Sequence, residues 1–99
     1  MIPEELLLKY GAKLKTYEKG EILFSQHTNA KNYYQVKNGI VKMNNYNDVG
    51  KEFIQGIFYD GQSFGEPPLF IDSNYPANAE TISEATALTL PKKAFFQLL

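Results

Sequence analysis

Ninety-nine residues, 43% apolar and 14% aromatic, make one compact domain and leave no room for two. Cysteine is absent, which excludes disulfides, thiolate zinc sites, iron–sulfur clusters, cysteine nucleophiles and thiol redox sensing, and fits a reducing compartment. Ten lysines against eleven acids leave a net charge of −1, so no basic surplus neutralises a nucleic-acid backbone and direct contact with DNA or RNA is not expected.

The chain opens on Met1-Ile2-Pro3-Glu4-Glu5, acidic where a secretory signal is basic, and its longest aliphatic run is Leu6-Leu7-Leu8. The expectation is a soluble, cytoplasmic protein with no membrane partner. Pro3, the acids Glu4 and Glu5, and Leu6, Leu7 and Tyr10 at helical spacing before Gly11 predict a short amphipathic packing helix. From Lys13 onward, β-branched and aromatic segments alternate with glycine or asparagine every 8 to 12 residues or so, the rhythm of all-β rolls and sandwiches. Strands are predicted near Lys13–Tyr17, Glu21–Phe24, Tyr33–Lys37, Ile40–Asn45 and Glu52–Tyr59, with two more across Ala77–Ser83 and Ala85–Leu90. Asn38-Gly39 between two of these reads as a type I′ hairpin turn, and Asn47 to Gly50 as a longer hairpin loop. Lys92 to Leu99 after Pro91 predicts a closing helix that stops on two leucines without a cap. The fold class is mainly β: an antiparallel β-roll, jelly-roll-like, with short flanking helices.

Asp60-Gly61-Gln62-Ser63-Phe64-Gly65-Glu66-Pro67-Pro68-Leu69-Phe70 differs from the rest, a glycine-punctuated turn running into a proline-started apolar helical turn. Backbone N–H groups converge where a glycine precedes a helix start, a geometry that favours anions, and Glu66 could accept hydrogen bonds from sugar hydroxyls. The plainer reading is a tight connection in which Glu66 complements the helix dipole.

The order Lys19-Gly20-Glu21-Ile22-Leu23-Phe24, Tyr33 to Lys42, Gly61 to Glu66 and Ala85 to Leu99 resembles the cyclic-nucleotide-binding domain of the Crp/Fnr (catabolite activator protein-like) family of transcription regulators, over residues 6 to 99. The resemblance implies a β-roll whose Phe-Gly-Glu turn and following helix form a phosphate-binding cassette. It gives Gly65 the approach to a cyclic phosphate, Glu66 the ribose 2′-hydroxyl, and an arginine–serine pair the grip on the phosphate. That last pair is missing, because Tyr75 and Pro76 stand in its place ahead of Ala77. Every basic residue of the chain is lysine, so no bidentate guanidinium grip exists anywhere.

Two consequences follow for the candidate ligand-binding set Phe64, Gly65, Glu66, Pro67, Pro68, Tyr75, Pro76 and Ala77. Pro67, Pro68 and Pro76 carry no backbone N–H. Between Asp60 and Pro91 there are five acids and no base, which repels a phosphate unless a lysine reaches in from elsewhere. The reading is a regulatory sensor domain with a degenerate cassette, in which cyclic AMP binding is weak, altered or lost. Its alternatives are a functional cyclic-AMP module and a ligand-free dimerisation or interaction domain. Tyr75 and Pro76 are expected either as loop residues without a ligand role or as contacts to a different, less charged ligand.

Catalysis is not expected, for no nucleophile is paired with a base and the single histidine, His27, lies in a polar loop as a solvent-facing residue where the family usually has glycine. No metal site is expected from Asp60, Glu66 and Asp72, and no cofactor is certain beyond a cyclic mononucleotide or another small effector. Tyr33, Tyr34, Phe53, Phe58, Phe64 and Phe70 are assigned to the core rather than to a base-stacking platform. The resemblance also implies a long dimerisation helix and a DNA-reading helix-turn-helix, neither present here. The expectation is therefore a sensor domain without its output, either a piece of a longer protein or a stand-alone module, with Phe95, Leu98 and Leu99 exposed to pair two chains.

Overall fold

A computed structural model describes all 99 residues. Helix α1 (Glu4–Lys9) leads into strands β1 (Lys13–Tyr17), β2 (Ile22–Phe24), β3 (Asn32–Asn38), β4 (Val41–Tyr46) and β5 (Glu52–Phe58), followed by β6 (Ser63–Phe64), helix α2 (Pro67–Phe70), β7 (Asn78–Thr81), β8 (Ala85–Pro91) and helix α3 (Lys92–Leu98). Two four-stranded antiparallel sheets result, ordered β1-β8-β3-β6 and β2-β7-β4-β5. This is the expected β-roll with short helices at its ends.

One turn differs from its expectation. Asn38-Gly39 joins no hairpin, because β3 pairs with β6 and β8 while β4 pairs with β5 and β7, so the chain crosses there from one sheet to the other. Of the two, only Gly39 takes a positive φ, +101°. A Cβ on it would lie 2.6 Å from the Cα and Cβ of Ala85 and from the carbonyl oxygen of Glu84. The glycine therefore serves a close approach between two backbones rather than a tight reversal. Its N–H donates to Asp60 Oδ1 at 2.9 Å, which pins the crossing. The β4–β5 hairpin forms as expected, with Asn47 Oδ1 accepting the N–H groups of Val49 and Lys51.

Along β3, successive side chains alternate between the faces of its sheet. Tyr34 meets Phe24 and Phe64 in the interior of the roll. Tyr33 and Gln35 face the other way and are covered by the chain ends. Tyr33 stacks on Phe95 of α3 with ring centroids 4.6 Å apart, and the Gln35 amide brackets Ile2, accepting its N–H at 3.1 Å and donating to its carbonyl at 2.8 Å. Phe95 is thus 3% exposed, correcting its expected place on an open apolar end; Leu99 remains exposed. Phe53 and Phe70 are likewise corrected, at 45% and 55% exposure, because β5 is an edge strand and Phe70 closes a single-turn helix at the surface.

Candidate functional site

The cassette segment begins as β6, two residues long, paired to β3 through Tyr34↔Phe64 and Gln35↔Ser63. Gly65 then turns left-handed at φ +75°. A Cβ there would sit 2.9 Å from the Phe24 ring and 3.3 Å from that of Tyr75, so both conformation and space demand glycine. Glu66 enters the helical region and α2 follows, with Pro67 at its first position, where a missing N–H costs nothing to the helix. Leu69 anchors this single turn in the core, its N–H donating to the Glu66 carbonyl at 2.9 Å.

These elements frame an open cavity of about 500 Å³. Met43 of β4, Phe58 of β5 and Phe64 of β6 give it apolar surface, Gly65, Glu66, Pro67 and Pro68 contribute the cassette side, and Ile71, Ser73, Asn74 and Pro76 close it from the segment after α2. A second depression of about 270 Å³ shares Met43 and Pro76 with the first and adds Asn45, Gln55 and Ala77.

The polar groups here are few. The Ser63 hydroxyl donates to Glu66 Oε2 at 2.7 Å, so this carboxylate is turned to a neighbouring hydroxyl rather than capping α2. Gln55 Nε2 donates to Asn45 Oδ1 at 2.8 Å, and Asn45 Nδ2 in turn donates to the Pro76 carbonyl at 2.8 Å. No cationic side chain lines either depression. Lys42 precedes Met43 on β4 and faces the opposite side of the sheet, where its ammonium lies 2.7 Å from Glu52. The hydrogen bond to Glu52 raises the Lys42 pKa, and the same contact, with a bond from the Asn44 amide, lowers that of Glu52. Lys92, nearer α2 in space, is held by Asp72 at 3.0 Å.

Tyr75 lies in a loop as expected, but its ring is buried, which corrects its expected place at the surface. Asn74 and Pro76 reach the cavity wall, and Tyr75 between them turns inward, 3% exposed, as alternation along an extended segment requires. Its backbone is fixed by the loop after β2: its N–H donates to the Thr28 carbonyl, and its own carbonyl accepts the N–H of His27, each at 2.9 Å. The ring stacks on Phe24, and the hydroxyl donates to the Asn32 carbonyl at 3.3 Å. Burial pushes its phenol far above the ordinary tyrosine value. The Tyr75 ring is therefore buried and lies outside the lining of the cavity. His27 is exposed with φ +72°, the backbone conformation that suits the glycine expected in its place.

Of the eight candidate residues, the structure brings Phe64, Gly65, Glu66, Pro67, Pro68 and Pro76 to the main cavity, Ala77 to the adjoining depression, and Tyr75 to neither. Met43, Phe58, Ser63, Ile71, Ser73 and Asn74 complete the cavity without being among those eight. Period-two alternation puts Met43 and Asn45 on one side of β4, and no residue of the sequence marks which side faces α2.

Residues 14–99 match the family model for the cyclic nucleotide-binding domain. A protein of uncharacterised function from Haemophilus influenzae is 26% identical over 84 residues, 85% of this chain and 65% of that one. Among solved structures, a regulatory protein from Silicibacter pomeroyi assigned to cAMP binding superposes with a TM-score of 0.84 at 30% identity, over 96% of this chain and 43% of its own. The catabolite activator protein of Thermus thermophilus gives 0.84 at 25% identity, over 99% and 46%. The chain thus spans less than half of either regulator and under two thirds of the Haemophilus protein.

Proposed function

Because this chain belongs to the cyclic nucleotide-binding domain family, in the form found in catabolite activator protein-like (Crp/Fnr) regulators, we propose that it is a regulatory sensor domain with a degenerate phosphate-binding cassette. On this reading cyclic AMP binds weakly, in an altered way, or not at all. The observation that carries it is a formed cavity with Glu66 on its wall and no cation beside it.

A phosphate entering this cavity meets one carboxylate and three prolines that offer no N–H. A charge-assisted hydrogen bond contributes roughly 1.5 to 3 kcal/mol, and a bidentate arginine makes two, so its absence lowers affinity by about two orders of magnitude or more. The open cavity favours retained sensing of a small effector over a ligand-free interaction domain, since the chain's own side chains do not fill it. The functional cyclic-AMP reading draws on the family model and on the Silicibacter protein assigned to cAMP binding.

Regulation would pass from the cavity to a partner segment or output domain, in a cytoplasmic protein that acts without catalysis and pairs through the apolar end near Leu99. No helix is long and apolar enough to cross a membrane. Calorimetric titration with cyclic AMP and cyclic GMP tests the proposal: dissociation constants in the millimolar range or no heat at all are expected, and micromolar binding of either overturns it.

A further inference from the structure

Resting on that reading, we infer that the cavity selects an uncharged small molecule of the nucleoside class, a planar heterocycle joined to a sugar with vicinal hydroxyls, over its phosphate-bearing counterparts.

The chemistry of the wall sets this preference. Glu66 holds one hydrogen bond, from Ser63, and an ionised carboxylate has about four lone-pair sites, so a ligand that covers it must bring donors. Hydroxyls supply them without charge. An anion brought against the same carboxylate, in an open cavity floored by Met43, Phe58 and Phe64, meets a like charge that no lysine of the lining offsets. The rim provides the second half of the recognition. Asn45 is used at both ends, accepting from Gln55 and donating to Pro76, which fixes the Gln55 side chain at the mouth of the adjoining depression. Gln55 keeps its carbonyl oxygen and one N–H free of that relay. These are a neutral acceptor and donor side by side, matched to the edge of a heterocycle or an amide and indifferent to phosphate. The tie also uses the Pro76 carbonyl, an acceptor at the position where the resemblance places a phosphate-gripping serine.

The test is titration of the ¹⁵N-labelled 99-residue chain with adenosine, 2′-deoxyadenosine and cyclic AMP, followed through backbone and side-chain amide resonances. Adenosine is expected to shift Gly65, Glu66 and the Asn45 and Gln55 side chains, and to bind about tenfold or more tightly than either of the others. Glu66→Gln, whose spectrum reports its own folding, is expected to weaken adenosine severalfold and to narrow its advantage over cyclic AMP. Equal or tighter binding of cyclic AMP overturns the inference, and micromolar cyclic AMP overturns the degenerate-cassette reading with it. Silence towards all three probes overturns the inference alone and leaves the cassette degenerate.

Discussion

The ring of Tyr75 lies flat on that of Phe24, with centroids 3.6 Å apart and planes 7° from parallel. This stack occupies the position from which the resemblance would reach a phosphate with arginine. Restoring the missing cation by Tyr75→Arg is therefore expected to fail. The guanidinium would be buried without a partner, at a cost of several kcal/mol, and the melting temperature should fall sharply with no gain in cyclic-AMP affinity. Tyr75→Phe keeps the stack and loses only the bond to Asn32, so it should cost about 1 kcal/mol or less in urea denaturation.

Gly39→Ala should destabilise far more than Gly50→Ala. Both glycines have positive φ, but only Gly39 abuts another backbone, at 2.6 Å from Ala85, whereas nothing lies within 4 Å of a Cβ on Gly50. The alanine at 50 carries only the left-handed penalty of roughly 1 to 2 kcal/mol. At 39 the two strands must also part, and the difference in denaturation midpoints measures that movement.

Gln35→Ala is expected to release the amino-terminal segment. The buried amide makes both backbone bonds to Ile2 and accepts from the Tyr33 hydroxyl at 2.6 Å. Leaving Tyr33 unpaired costs about 1 to 3 kcal/mol. Hydrogen exchange at α1 amides should accelerate while β4 and β7 keep their protection.

The Lys42–Glu52 pair gives stability a defined pH dependence. Glu52 has a lowered pKa in the folded chain, so its contribution is present above the ordinary carboxylate range and fades as pH falls through about 4 towards the folded value. Lys42, raised by the same contact, loses its contribution only in strongly alkaline solution. The difference in urea midpoint between the parent and Glu52→Gln should therefore shrink between neutral and acidic pH.

Strand content was legible because period and composition coincide. β1 runs over Lys13–Tyr17 as predicted, and the Asn47 loop closes the β4–β5 hairpin through its own side chain. Asn38-Gly39 misled because a turn dipeptide reports a local conformation and not which strand receives the chain next. The turn on the cavity wall was legible in Gly65 and Glu66, residues that a close contact and a charge make unusual. Tyr75 was not, since its inward direction depends on pairing with the loop at His27 and Thr28, nearly fifty positions earlier in the chain. The cavity surface from β4 and β5 was hidden for the same reason: proximity across two sheets leaves no local signature.

A crystal structure of this chain grown with millimolar cyclic AMP examines the cavity's charge most directly. The account predicts no nucleotide whose phosphate lies in the cassette within ion-pairing reach of a lysine. A cyclic mononucleotide seated against Glu66, its phosphate met by a lysine ammonium that has left its present partner, would contradict it.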